Sequence, residues 1–170
     1  EQARYIEAQI EGVTLASIYL PNGNPFPGPK FEYKLAWMDR LYDRAKYLFN
    51  QENPVVLGGD FNVIPQPIDC YEPSLWEDDA LYRRESRKKF YAICNLGYLD
   101  ALRQINPKGA HYTFWDYQQG AWQKDNGIRI DHLLLSPEAA NNLIDCQVDR
   151  KPRGLIKPSD HTPIWCDLSL

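Results

Sequence analysis

The chain has 170 residues, of which 44% are hydrophobic and 25% charged, and a formal net charge of -4 at neutral pH. That is enough apolar material for one substantial core, and it excludes a disordered chain or a small disulfide-stapled scaffold. No stretch approaches the roughly 20 apolar residues of a membrane span, and the acidic balance argues against a passive nucleic-acid binder without excluding a nuclease that gathers carboxylates at its centre.

The sequence opens on Glu1-Gln2-Ala3-Arg4-Tyr5, without Met and without the apolar stretch of a signal peptide, and reads as cut rather than initiated; a cytoplasmic protein is expected. Tyr5 to Glu11 alternates in character, Glu11-Gly12 turns, and Val13 to Leu20 resumes, which predicts a hairpin. Pro21 to Pro25 forces a loop. From Lys30 to about Gln51, Phe31, Leu35, Met38, Tyr42, Ala45 and Phe49 recur every three to four positions, the spacing of an amphipathic helix that stops before Asn53-Pro54.

A buried strand is predicted over Val55 to Gly59, followed by a Pro-rich loop from Ile64 to Pro73 that is long enough to be functional. A second helix spans Arg84 to Leu96 and is capped by Gly97. Further strands are expected at Tyr112 to Trp115, Ile128 to Leu135, Leu143 to Val148 and Thr162 to Leu168. The mixture of βαβ and hairpin connections implies a mixed-sheet α/β sandwich without repeats or linkers. Cys70, Cys94, Cys146 and Cys166 share no CxxC spacing and are expected to be reduced thiols.

Three strings place polar groups at strand ends: Gly58-Gly59-Asp60-Phe61-Asn62, Arg129-Ile130-Asp131-His132 and Ser159-Asp160-His161-Thr162-Pro163. Strand ends are where open α/β sheets carry their chemistry. Asp60 alone could cap a turn, but Asn62 two residues later gives a carboxylate and a carboxamide able to hold a metal, a water or a phosphate oxygen. His161 could be a satisfied interior imidazole; an orienting carboxylate, for which Asp131 is the candidate, would make it a general base or a transition-state stabiliser. The aromatics Tyr112, Phe114, Trp115, Tyr117 and Trp122 read as core or, where the Gln-rich loop exposes Tyr117 and Trp122, as a stacking surface. Arg150, Lys151, Arg153 and Lys157 are either a solvated loop or phosphate contacts.

These strings, together with Ile18-Tyr19-Leu20-Pro21-Asn22-Gly23 and Tyr112-Thr113-Phe114-Trp115, resemble the exonuclease III and apurinic/apyrimidinic endonuclease family of the endonuclease/exonuclease/phosphatase superfamily. The resemblance implies a four-layer α/β sandwich and a Mg2+- or Mn2+-dependent phosphodiesterase. Such an enzyme cuts duplex DNA 5′ to abasic sites and trims 3′ ends, and is a monomer when full length. It implies that His161 is the catalytic histidine and Asp131 its partner. Asp60 would orient water or protonate the leaving oxygen, Tyr19 would donate its hydroxyl to the phosphate, and Asn62 and Asn22 would bind that phosphate. Asp160 would sit at the metal, and Phe114, Ile128 and Ile130, with Trp115 beside them, would line a pocket for a sugar lacking its base.

The family's opening Trp-Asn strand and its metal-binding glutamate are not found, so residues 1–170 read as the C-terminal portion of one such domain, with one sheet kept and its inner face bare. On that reading the chain alone is inactive or nearly so. A phosphoinositide or lipid phosphodiesterase of the same superfamily, or a non-catalytic DNA-binding or interaction module, are the alternatives.

Overall fold

The computed structural model describes residues 2–169. Strands β1 (Tyr5–Ile10) and β2 (Val13–Tyr19) form the expected hairpin, with Ile10 opposite Val13. Glu11 and Gly12 both take positive φ, at 49° and 86°, the two-residue turn whose twist matches that of the strands. Helix α1 (Pro29–Phe49) then carries the chain across to β3 (Val55–Asp60), which pairs parallel to β2, a geometry that requires such a crossover.

After the Pro-rich loop come α2 (Arg84–Cys94), a two-residue strand β4 (Leu99–Asp100), the short α3 (Ala101–Ile105), β5 (Asp131–Leu135), α4 (Pro137–Ala140), and a second hairpin of β6 (Leu143–Val148) and β7 (Ile164–Leu168). The main sheet runs β1-β2-β3-β5-β4, and β6-β7 forms a separate two-stranded sheet. The mixed α/β architecture is therefore as expected.

Alternation divides the sheet's two faces. Ala16, Ile18, Val55, Leu57 and Leu134 pack on Trp37, Met38, Leu41 and Ala45 of α1 and on Phe90 and Ile93 of α2. The opposite face presents Val13, Val56, Leu133 and Leu135, against which Cys146, Val148, Ile164, Cys166 and Leu168 of the second hairpin gather. The inner face is thus not wholly bare: strands of a second sheet cover its β5 side. Its β1–β2 side stays open, with Ile6, Ile10 and Leu15 exposed at 69%, 53% and 37%.

Other boundaries move for physical reasons. Tyr112 to Trp115 is not a strand. The N–H groups of Thr113 and Phe114 converge on one carbonyl, that of Ile128, and Phe114 makes single bridges to Ile128 and His161, so no ladder propagates. The strand expected from Ile128 begins only at Asp131, because the Arg129 N–H turns to the Asp69 carbonyl and the Ile130 N–H to Thr113 Oγ1. Pro163 has no N–H, and β7 starts after it.

Candidate active site

β3 and β5 run antiparallel with Asp60 directly opposite Asp131, so two carboxylates from distant segments share the inner-face end of the sheet. Gly59 makes this register possible. At φ 132° it approaches β2 so closely that a Cβ would lie 2.1 Å from the Ile18 carbonyl oxygen.

Asp60 Oδ1 accepts the Asn62 backbone N–H at 2.8 Å and Oδ2 accepts the Asn62 side-chain amide at 2.8 Å. Asn62 sits in the left-handed region at φ 48°, a conformation that such an Asx-type contact supports. Its second amide hydrogen goes to the Leu20 carbonyl at 2.9 Å, and its Oδ1 accepts from Asn22 Nδ2 at 3.1 Å. Both donors of Asn62 are therefore engaged within the protein and the side chain is buried, whereas Asn22 is exposed and keeps one amide hydrogen for the cleft. Asn62 thus holds Asp60 and Asn22 in place while it also lines the cleft.

His161 Nδ1 lies 2.8 Å from Asp131 Oδ2, and Phe114 meets the imidazole edge-on with ring centroids 5.1 Å apart. Thr113, fully buried, fixes the carboxylate's strand: its Oγ1 accepts both the Ile130 and the Asp131 N–H at 3.1 Å. Tyr19, 57% exposed, stands on the next strand with Arg4 stacked 4.7 Å above its ring. One cleft is lined by Tyr19, Asn22, Asn24, Asp60, Asn62, Asp79, Phe114, Ile128, Ile130 and His161.

Burial, with the charge of Asp131 beside it, raises the Asp60 carboxyl to about 7. Burial works against the His161 imidazolium, but the hydrogen bond and charge of Asp131, with Asp60 and Asp160 beyond, prevail and raise its pKa. An acid and an imidazole tuned toward neutrality in one cleft can move protons at physiological pH.

Not every expected residue comes to this cleft. Trp115 is fully buried, its indole N–H bonded to Asp125 Oδ1 at 3.0 Å, and it is a core aromatic rather than a substrate contact. Asp160 is not among the residues that line the cleft, and it receives a long 3.5 Å hydrogen bond from Ser159 Oγ. Among the described residues no group of three or more His, Cys, Asp or Glu is placed to share a cation. Arg150 and Arg153 are tied into stacks on Trp115, Trp122 and Tyr117, and Arg150 pairs with Asp125 at 2.7 Å; Arg153 is buried, whereas Arg150, Lys151 and Lys157 are exposed.

Sequence reasoning missed the supports. Arg129, fully buried, holds Asp69 through two bonds of 2.7 and 3.0 Å, Asp100 at 2.8 Å and His132 Nδ1 at 3.0 Å. Burial and Arg129 lower His132 to about 4, so it is neutral and donates from Nε2 to the Val63 carbonyl at 2.9 Å. This network pins the Pro-rich loop to the strand that carries Asp131. Asn24, whose amide bonds both oxygens of Asp79 at 3.1 Å, clasps a further loop to the cleft.

A mixed sheet bearing an acid, a carboxamide pair and an Asp–His couple at its strand ends defines the class of this protein. The chain belongs to the endonuclease/exonuclease/phosphatase family, whose pattern matches residues 3–161. It is 29% identical over 166 residues to an exodeoxyribonuclease of Bacillus subtilis, covering 96% of this chain and 63% of that protein. It is 31% identical to the DNA repair nuclease APEX1 of Danio rerio, covering 100% of this chain and 53% of that one. The 3′ phosphatase NExo of Neisseria, solved with a product DNA hairpin, superposes with a TM-score of 0.96 at 37% identity, over 99% of this chain and 66% of that one. An AP endonuclease from Archaeoglobus fulgidus gives 0.93 at 36%, over 98% and 65%. The chain thus spans about two thirds or less of these relatives. The family is divalent-metal dependent.

Proposed function

We propose that this chain is the C-terminal portion of a single DNA-repair nuclease domain that hydrolyses phosphodiester bonds 5′ to abasic sites in duplex DNA and trims 3′ ends. The observation that carries the reading is the convergence of Asp60, Asn22 and the Asp131–His161 pair on one cleft. The partial coverage of the relatives and the open apolar strip at Ile6, Ile10 and Leu15 support the portion reading.

In this scheme Asp60, near half-protonated at pH 7, takes a proton from the attacking water or returns one to the leaving oxygen. His161, whose charged form Asp131 favours, stabilises the charge that builds on the phosphoryl oxygens, and Asn22 donates its free amide hydrogen to one of them. The Tyr19 hydroxyl supplies a further donor. Phe114, Ile128 and Ile130 give the apolar wall against which a baseless sugar fits. A divalent cation, Mg2+ or Mn2+, would need ligands from outside residues 1–170 beside Asp160. The complete protein acts as a monomer, and four unpaired thiols suit a reducing cytoplasm; no described helix is long and apolar enough to cross a membrane.

The test is incision of a duplex with one abasic analogue by the complete protein and by residues 1–170 alone. Metal-dependent incision by the complete protein only is the expected result; inert complete protein overturns the proposal.

A further inference from the structure

A lysine in an amphipathic helix ordinarily reaches water, yet Lys34 of α1 is fully buried. Its ammonium spends its three hydrogens on three backbone carbonyls: Asn62 at 2.6 Å, Asn22 at 3.0 Å and Ala80 at 3.2 Å. These carbonyls belong to three loop segments, one between β2 and α1 and two at opposite ends of the β3–α2 connection, and each segment supplies a wall of the cleft, through Asn22, Asn62 and Asp79. Burial drags the Lys34 pKa down to about 7, against the opposing pull of Asp79 and Asp60.

The surroundings are shaped to this side chain. A Cβ on Gly23, itself at φ 92°, would lie 2.6 Å from Lys34 Cδ, so the stem fills the hollow beneath the Asn22-Gly23 turn. The left-handed Asn62, which turns its carbonyl inward to Nζ, simultaneously presents its side chain to Asp60 and Asn22. A buried charge held by carbonyls alone is an expensive way to fill space, whereas an apolar residue would leave three carbonyls unpaired.

We infer that Lys34 is a positioning residue for the reaction: its ammonium gathers the three loop segments and thereby sets the Asn22–Asn62–Asp60 chain that meets the scissile phosphate. The inference rests on the phosphodiesterase reading for what the chain does, and on the three carbonyl contacts for what Lys34 does.

The experiment is made on the complete protein, with Lys34→Met and Lys34→Gln, the latter keeping two donor hydrogens and serving alone should the former not fold. Single-turnover incision of the abasic duplex is expected to slow about 100-fold in Lys34→Met and about 10-fold in Lys34→Gln, the scale of a lost preorganised donor. Half-saturating DNA concentration is expected to stay within about threefold. In the same samples the side-chain amide NMR signals of Asn22 and Asn62 are expected to shift while those of Asn141 and Asn142, far along the chain just past α4, do not. Unmoved Asn22 and Asn62 signals, or unchanged turnover by an active protein, overturn the inference. Moved signals in a protein that never cuts DNA overturn the nuclease reading and leave Lys34 as the organiser of the loops.

Discussion

Replacing Thr113 by Val tests how the fold holds the Asp131 carboxylate. The substitution keeps shape and volume but removes Oγ1, the acceptor for two buried backbone N–H groups, those of Ile130 and Asp131. An orphaned buried donor costs about 1–3 kcal/mol, and because the two donors share one acceptor, a loss of about 2–4 kcal/mol is expected. At this chain length that corresponds to a melting temperature lower by roughly 5–15 °C. Thr113→Ser, which keeps the oxygen and loses one methyl, is expected to cost about 1 kcal/mol. Urea denaturation of both variants reads the difference directly. A Val variant within about 0.5 kcal/mol of the parent, or a Ser variant as damaged as the Val one, would refute the reasoning. Since the same hydroxyl sets where Asp131 begins its strand, Thr113→Val is also expected to lower the His161 pKa by loosening its partner.

Three further outcomes follow. The raised His161 pKa means that the Asp131–His161 pair stabilises the fold fully below the ordinary value of 6.5 and loses that contribution as pH rises through the folded value; Asp131→Asn is expected to lower the pKa in an NMR titration and to remove this pH dependence. For Asp60 the folded state holds its proton more tightly than the unfolded one, so stability declines as pH rises from about 4 to about 7. Thermal melts across that window are expected to show a shallower decline in Asp60→Asn, and an identical slope would remove Asp60 as the tuned acid. Gly59→Ala forces a Cβ to 2.1 Å from the Ile18 carbonyl, and a destabilisation of at least about 3 kcal/mol is expected, measured by denaturant unfolding.

The sequence made legible those features that depend on local pattern. The hairpin at Glu11-Gly12, the helix beginning at Pro29 and the strand before Asp60 are each written in spacing and turn chemistry, and the structure has them within a residue or two. The pairing of Asp60 with Asn62 was readable because a carboxylate and a carboxamide at i and i+2 past a strand end point the same way, and the structure joins them by hydrogen bonds of 2.8 Å. Trp115 was not, since an aromatic in a polar stretch looks the same whether it faces solvent or the core, and only the Asp125 contact and the packing of Trp122 decide.

The long-range supports left no local mark. Lys34 lies in a helix whose other lysines are ordinary surface residues, and its burial follows from three loop segments closing over it. Arg129 and Asp69 are 60 residues apart, and neither position by itself announces an ion pair. The second hairpin's cover over the β5 side likewise depends on a chain reversal between Leu135 and Leu143 that periodicity does not encode.

In the proposed phosphodiesterase, Asp60, Asn22 and the Asp131–His161 pair form the working part of a site that residues 1–170 do not complete alone. The most direct test is cleavage of an end-labelled duplex carrying one abasic analogue, with divalent metal or with chelator, by the complete protein, by its His161→Ala variant and by residues 1–170. The expected result is incision 5′ to the lesion by the complete protein with metal, a loss of at least about 100-fold on His161→Ala, and little or no cutting by residues 1–170. Cutting by residues 1–170 at the parent's rate would contradict the incomplete site, and a complete protein that ignores the lesion or survives His161→Ala unchanged would contradict the site itself.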